Sequence, residues 1–358
     1  MRTALAAACL IGFVGIAPAG AAPSISVDVY SGRIISHQEA FQRWYPASLT
    51  KLMTIYVTFR ALREGRISLD TDITMSTEAA SQPASKMYFK PGQRFPLDSA
   101  LKYLMVKSAN DIAVAIAQAV SGSTDEFISE MNRQALKIGM TSSRFVNPNG
   151  LPGEGQYTTA RDMALLGLTL RREFPEYARY FNLEGFSVNG RGFENFNILI
   201  GRFDGANGMK TGYICASGFN QVSSATRNGR TVVAVVLGSE GQVARAEKSA
   251  ELLETALSTP PGSETLLTLS PYGEGRDQVR DISDSICSAE ARKDRREARD
   301  EKGKLVFTSP LIKEAVGKPE LVAAPVSAPI GSGPATAEEA ALILGTSRIP
   351  LPDFKPAS

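Results

Sequence analysis

Strand-forming sequence brackets a helical middle in this chain of 358 residues. Ser24 to Ser36 alternates apolar and polar side chains around Ser31-Gly32, a pattern that predicts an N-terminal β-hairpin. Far downstream, Gly208 to Tyr213, Gly218 to Ala225 and Thr231 to Leu237 read as three strands, the last two joined by Asn228-Gly229. Between these ends the pattern is helical. A buried helix is expected to open near Ser48, after Pro46, and others cover Leu97 to Val106 and Asp111 to Val120. Capping patterns announce two more: Ser123 with Glu126, running to about Ile138, and Thr159 with Asp162, running through Leu170. The acidic Asp162 is therefore read as a helix cap. Lys90-Pro91-Gly92 and Asn147 to Gly153 are turn-rich, and Ala244 to Leu257 reads as an amphipathic helix. Terminal strands around a helical middle predict an α/β domain with an antiparallel sheet.

The hydrophobic content of 43% supports a substantial core. The net charge of +2 leaves no nucleic-acid footprint, so no nucleic-acid partner is expected. Without a Cys/His cluster, no metal and no other cofactor is expected. The lone His37 follows the hairpin and reads as a surface residue.

The N-terminus has the organisation of an export signal. Arg2 precedes an apolar run from Ala4 to Ile16, and Ala19-x-Ala21 offers small residues for cleavage. The apolar run is shorter than the roughly 20 residues a membrane span needs, so cleavage is expected rather than anchoring. Export to the periplasm or cell envelope follows. Cleavage removes Cys9 and leaves Cys215 and Cys287, which an oxidising compartment allows to pair. The sequence leaves open whether they form a bridge or remain separate thiols.

Composition changes after Ser258. Thr259-Pro-Pro-Gly breaks the chain, and Glu290 to Lys304 is densely charged, with Lys293/Glu297 and Arg296/Asp300 at helical spacing. From Pro319 onward the chain is rich in Pro, Ala, Ser and Gly and reads as disordered. The apolar stretch Ala340 to Leu344 is too brief for an amphipathic membrane anchor. The expected organisation is a signal peptide over 1–21, one domain over 22–257, and an extension over 258–358 with a short charged helix near 288–304.

Three short motifs fall on these elements in a fixed order: Ser48-x-x-Lys51, Ser108-x-Asn110 and Lys210-Thr211-Gly212. With one histidine and no Ser-His-Asp set, a serine nucleophile here needs a lysine to activate it. On a helix, residues three apart share a face, so Ser48 Oγ and Lys51 Nζ can meet. A nucleophile at a helix N-terminus also lies beside unpaired backbone N–H groups. An ordinary lysine, with a pKa near ~10.4, is a poor base at neutral pH. Burial and a second cation favour its neutral form, and Lys210 is the candidate cation. Lys51 would then take the Ser48 proton, directly or through Ser108. Each motif alone is weak: Ser99-Ala-Leu-Lys102 and Ser187-Val-Asn189 repeat two of them, and Ser99 and Ser187 read as surface residues.

Five segments, in order, resemble the D-alanyl-D-alanine carboxypeptidases, the low-molecular-mass penicillin-binding proteins of serine peptidase family S11. They are Pro46 to Thr54, Lys107 to Ala113, Phe145 to Gly150, Thr158 to Ala164 and Asp204 to Gly212. The resemblance spans about Ser24 to Leu257. It implies a β-lactamase/transpeptidase-like fold, an antiparallel sheet flanked by helices with a helical subdomain. It also implies a serine D,D-carboxypeptidase acting on peptidoglycan stem peptides and acylated by β-lactam antibiotics. Ser48 would form the acyl-enzyme, with Lys51 as its base. Ser108 and Asn110 would relay protons and hold the substrate amide. Lys210 and Thr211, with Gly212, would bind the terminal carboxylate, and the N–H groups of Ser48 and Tyr213 would form the oxyanion hole. Arg245 is either a further carboxylate-binding arginine, as the resemblance implies, or an ordinary surface arginine of an amphipathic helix.

The same motifs would serve an endopeptidase that cuts cross-links, or a non-catalytic wall-binding protein of the same fold. Efficient β-lactam hydrolysis is not expected, because Ser142 to Gly155 holds only Glu154 and no Glu-x-x-x-Asn. Two features depart from the family pattern. The tail offers no clear second β-rich domain or membrane anchor. Tyr213-Ile-Cys215 follows Lys210-Thr-Gly212 where a histidine commonly comes next. A Cys215–Cys287 bridge would pin the tail beside the active-site rim and narrow access for cross-linked peptides.

Overall fold

The computed structural model describes residues 22–295, 297–301 and 303–327. The expected signal peptide, the stretch Ala340 to Leu344 and the rest of the tail beyond 327 lie outside the described residues. In chain order the first half holds β1 (Ser24–Asp28), β2 (Ile34–Gln38), α1 (Thr50–Arg63), β3 (Asp72–Thr74), α2 (Thr77–Ala80), β4 (Arg94–Pro96), α3 (Leu97–Val106), α4 (Asn110–Ser121), α5 (Thr124–Lys137) and α6 (Ala160–Glu173). There follow β5 (Gly185–Val188), β6 (Arg191–Glu194), β7 (Ala206–Ile214), β8 (Gly218–Arg227), β9 (Arg230–Ser239), α7 (Gln242–Ser258), α8 (Ser283–Cys287), α9 (Ala289–Asp294) and β10 (Leu321–Ala323). Short 3-10 turns cover Ala47–Leu49 and Pro175–Phe181.

The strands from both ends of the core region share one antiparallel sheet in the order β2-β1-β9-β8-β7. Strand β9 explains how it is buried on both faces. Its near-continuous apolar run sends Val233, Val235 and Leu237 into the core that holds Met163 and Leu166 of α6. Val232 and Ala234 go to the opposite side, against Ala246, Ala250 and Leu253 of α7. Successive side chains on a strand point to opposite faces, so one sheet takes a helix on each side. Strand β7 is left at the edge. The N-cap half of both patterns forms, Ser123 Oγ accepting from Glu126 N and Thr159 Oγ1 from Asp162 N, each at 3.1 Å. The Asp162 carboxylate is not the cap and instead accepts from Ser142 N at 2.9 Å and Ser143 Oγ at 2.7 Å. The Asp162 carboxylate itself is buried and pairs with Arg161 at 2.8 Å, a structural role.

The extension corrects two expectations. First, the charged segment forms one short helix, α9, that ends at Asp294 rather than continuing towards 304; Ser288 caps it by accepting from Ala291 N at 3.1 Å, and a separate turn of helix, α8, precedes it. Second, residues 319–327 are placed against the helical subdomain instead of being disordered. Strand β10 pairs parallel to β5, and Ala324 is fully buried. The Tyr103 hydroxyl donates to the Ala324 carbonyl at 2.6 Å, and Ser99 Oγ donates to the Pro325 carbonyl at 2.7 Å. Ser99 is therefore a buried residue, not a surface one. Its neighbour Lys102 bonds Asp98 at 2.6 Å and the Ala323 carbonyl at 2.7 Å, so the repeated Ser-x-x-Lys is a docking site for this chain's own tail. Composition misleads here because Pro and Ala suit an extended strap whose hydrogen bonds come from another element. Replacing Tyr103 with Phe leaves the buried Ala324 carbonyl without this donor. The expected loss is about 1–3 kcal/mol of stability by urea denaturation.

Candidate active site

The Ser48 hydroxyl sits on the 3-10 turn that leads into α1. Pro46 precedes this turn, no side chain caps it, and its first turn carries no acidic residue. The positive end of the helix is thus left to whatever approaches Ser48. Ser48 is half-buried, whereas Lys51, one turn on, is fully buried.

Lys51 Nζ has three neighbours. It lies 3.0 Å from Ser48 Oγ, 2.8 Å from Asn110 Oδ1 and 2.6 Å from the Asn149 carbonyl oxygen. Asn110 and Asn149 present only acceptors to it. A neutral amine has two N–H bonds and one lone pair. With its N–H groups held by these two oxygens, the lone pair must face the Ser48 hydroxyl. Burial, then the nearby Lys210 ammonium, hold the Lys51 amine well below the usual lysine range, while Asp111 pulls weakly the other way. Burial and the neighbouring cation favour the neutral amine, and in that form the geometry aims its lone pair at the serine.

Ser108 occupies the link between α3 and α4 with a φ of 59°, an uncommon conformation for a residue with a β-carbon. It accepts a hydrogen bond from Lys210 Nζ at 2.8 Å. Ser108 is thus joined to Lys210 and is not among the hydrogen-bond partners of Lys51. Asn110 has both amide atoms engaged, since its Nδ2 also donates to the Pro83 carbonyl at 2.9 Å. In this state it orients Lys51.

Lys210, Thr211 and Gly212 lie on edge strand β7, beside the Ser48 turn. A β-carbon on Gly212 would stand 3.0 Å from Ser48 N and 3.1 Å from Pro46 O, so any larger residue would push the two backbones apart by a few tenths of an ångström. Lys210 is buried and its amine is brought down to about 7, by burial and then by the Arg245 guanidinium. Arg245 opens α7 and is only 4% exposed, which excludes an ordinary surface arginine. Burial brings its guanidinium down to about 10. Among the described residues Lys51, Lys210 and Arg245 form no ion pair. Buried cations such as Lys210 and Arg245, which form no direct ion pair, are costly unless a ligand carboxylate approaches them, although Glu297 lies close enough to favour the Arg245 charge.

Several contributors carried no assigned role from the sequence. The Asn149 carbonyl is one; it comes from the turn-rich loop before Gly150, and Asn149 Nδ2 donates to Gln82 Oε1 at 2.9 Å. Asp111 is another. Its buried carboxylate, pushed up to about 6 by burial, accepts from Met87 N at 2.8 Å and Tyr88 N at 3.2 Å, fixing the segment that leans on Asn110. Backbone acceptors leave no trace in side-chain motifs; the only available signal was the Asn-Pro-Asn-Gly turn itself. The bridge that the sequence left open is present, with the Cα atoms of Cys215 and Cys287 5.6 Å apart. His37 is exposed and bonds the Tyr272 hydroxyl at 2.6 Å. Among the described residues there is no cluster of metal-binding side chains and no helix long and apolar enough to cross a membrane.

Comparison with known proteins gives the same neighbourhood throughout. The chain is 36% identical over 236 residues to D-alanyl-D-alanine carboxypeptidase DacC of Escherichia coli, covering 64% of this chain and 59% of that one. It therefore spans less than two thirds of that relative's length. Among solved structures it is similar to D-alanyl-D-alanine carboxypeptidase DacD from Francisella tularensis, at 34% identity and a TM-score of 0.64, over 66% of this chain and 70% of the other. It is also similar to penicillin-binding protein D2 from Listeria monocytogenes in an ampicillin-bound form, at 26% identity and a TM-score of 0.59, over 66% of this chain and 96% of the other. Residues 17–241 match the profile of the D-alanyl-D-alanine carboxypeptidases. The chain belongs to the D-alanyl-D-alanine carboxypeptidase family, peptidase family S11.

Proposed function

We propose that this protein is an exported serine D,D-carboxypeptidase that removes the terminal D-alanine from peptidoglycan stem pentapeptides. The observation that carries the reading is the Lys51 amine, fixed by two carbonyl oxygens so that its third direction meets Ser48 Oγ at 3.0 Å. Ser48 Oγ attacks the carbonyl carbon of the penultimate D-alanine while Lys51 accepts its proton. The N–H groups of Ser48 and Tyr213 receive the oxyanion, typically worth ~3 kcal/mol per donor. Collapse breaks the peptide bond, the leaving amine takes the proton, and water then hydrolyses the Ser48 ester. Lys210, Thr211 and Arg245 hold the terminal carboxylate, whose charge balances two buried cations that form no direct ion pair. A β-lactam presents a strained amide and a carboxylate to the same groups, so penicillins acylate Ser48.

In this reading residues 1–21 are a cleaved signal peptide, 22–257 the catalytic domain, and the remainder an accessory extension. The test uses mature protein. Pentapeptide analogues should release one D-alanine each, dimeric cross-linked muropeptide should be cut far more slowly, and a penicillin should add one adduct mapping to the Ser48 peptide. Adduct formation without D-alanine release would leave only a penicillin-binding wall protein. Faster cutting of the dimer would make it an endopeptidase.

A further inference from the structure

The extension reaches the same cationic end of the site from outside the catalytic domain. Cys287 is bonded to Cys215 just past β7, and its Sγ lies 3.2 Å from the Tyr213 hydroxyl. Ile282 and Ile286 pack over Gly218, where a β-carbon would meet their Cδ1 atoms at 3.0 and 3.2 Å. Arg295 follows α9. It donates to the Ile286 carbonyl, and its guanidinium carbon lies 5.5 Å from the centre of the Phe219 ring. The same ring receives Arg245 at 5.9 Å and the Tyr213 ring at 4.3 Å. Two residues on, Glu297 accepts from Val243 N at 2.9 Å and from Gln242 Nε2 at 2.7 Å, on the opening turn of the helix that carries Arg245. The extension is therefore fastened to both walls of this end of the site.

Arg295 is half-buried, and among the described residues it forms no ion pair. A guanidinium has five N–H donors; the Ile286 carbonyl takes one direction and the Tyr213 hydroxyl another, which leaves part of the fork for a ligand at the Tyr213 end of the site. Its planar fork matches a carboxylate. We propose that Arg295 is a specificity-determining residue that joins Arg245 in recognising the free α-carboxylate of the departing D-amino acid, and that the Cys215–Cys287 bridge serves to hold it there. This rests on the carboxypeptidase reading above. A substrate whose chain continues past this point, as in a cross-link, places an amide where two guanidiniums expect an anion.

The test is a ratio. The oxidised full-length mature protein and its Arg295→Ala, Arg295→Lys and Cys287→Ser variants are assayed on diacetyl-L-lysyl-D-alanyl-D-alanine and on its C-terminal amide. Arg295→Ala should lower kcat/KM on the acid about tenfold, chiefly through KM, with the amide within about twofold. Arg295→Lys should recover part of the loss. Cys287→Ser should show the same acid-selective loss and add little to Arg295→Ala. Complete acylation by excess penicillin shows that the site is assembled in each variant. A parallel fall on acid and amide, or no fall at all, overturns the inference. Should the wild type cleave neither peptide, the carboxypeptidase reading fails instead. Acylation rates with penicillin and with its carboxylate ester then still read Arg295: an acid-selective loss in Arg295→Ala sustains the inference, and its absence overturns it.

Discussion

Lys51→Ala is expected to slow acylation of Ser48 at neutral pH by about 10³–10⁴-fold, near the upper range for removal of a general base. The argument starts from the nitrogen. Its two carbonyl acceptors, from Asn110 and Asn149, leave one direction, and Ser48 Oγ stands in it at 3.0 Å. Arginine makes the sharper control. Lys51→Arg keeps a positive charge at every working pH and cannot accept the proton. If Lys51 acts only as a fixed charge, arginine should restore much of the rate. If it acts as the base, arginine should be as slow as alanine. Stopped-flow acylation with a fluorescent penicillin decides between them. The pH profile supplies a second reading. The rate at limiting ligand rises as pH climbs through the lowered pKa of Lys51, because the neutral amine is the active form. It falls again above about 7, where Lys210 in the free enzyme loses its proton and with it part of the hold on the ligand carboxylate. A bound carboxylate stabilises the Lys210 ammonium, so the rate at saturation should stay flat to higher pH.

The sheet and the helices were legible in the sequence because each is a local pattern. The alternation from Ser24 to Ser36, the capping pair at Ser123 and Glu126, and the apolar run at Val232 to Leu237 each report on their own geometry. The motif side chains were legible for a similar reason: Ser48 and Lys51 are one helical turn apart, and Lys210 to Gly212 occupy consecutive strand positions. Long-range acceptors and docking were not. The Asn149 carbonyl reaches Lys51 across 98 residues, and no side-chain letter encodes a backbone oxygen. Arg295 reads as one charge among many in a solvated segment until the bridge brings it to Phe219. The strap at Leu321 to Ser327 reads as disorder because its partners, Tyr103 and Ser99, lie more than two hundred residues earlier. In each case the missing information is a pairing, and a single sequence lists only the members.

Gly150→Ala is the second large effect, and it joins fold to site. Gly150 has a φ of +85°, which a residue with a β-carbon adopts only at a cost of about 1–2 kcal/mol. A β-carbon here would also collide with the Ala47 carbonyl and stand 3.0 Å from Thr50 Oγ1. Ala47 precedes the nucleophile, and Asn149, whose carbonyl holds Lys51, precedes Gly150. The backbone must therefore move on one side or the other, and either movement separates Lys51 from Ser48. The expected stability loss is about 3–5 kcal/mol by chemical denaturation, the range reserved for strain combined with overpacking. Acylation of the protein that remains folded should slow by about 10²-fold, the scale set by a misplacement of roughly 1 Å. Gly122→Ala is the control. It too has a left-handed φ, +82°, but its β-carbon would meet nothing within 4 Å. It should lose about 1–2 kcal/mol and acylate at the wild-type rate. Equal stability losses in the two variants would show that the Ala47 contact relaxes freely. Equal acylation rates would show that the loop holding Asn149 does not set the position of Lys51.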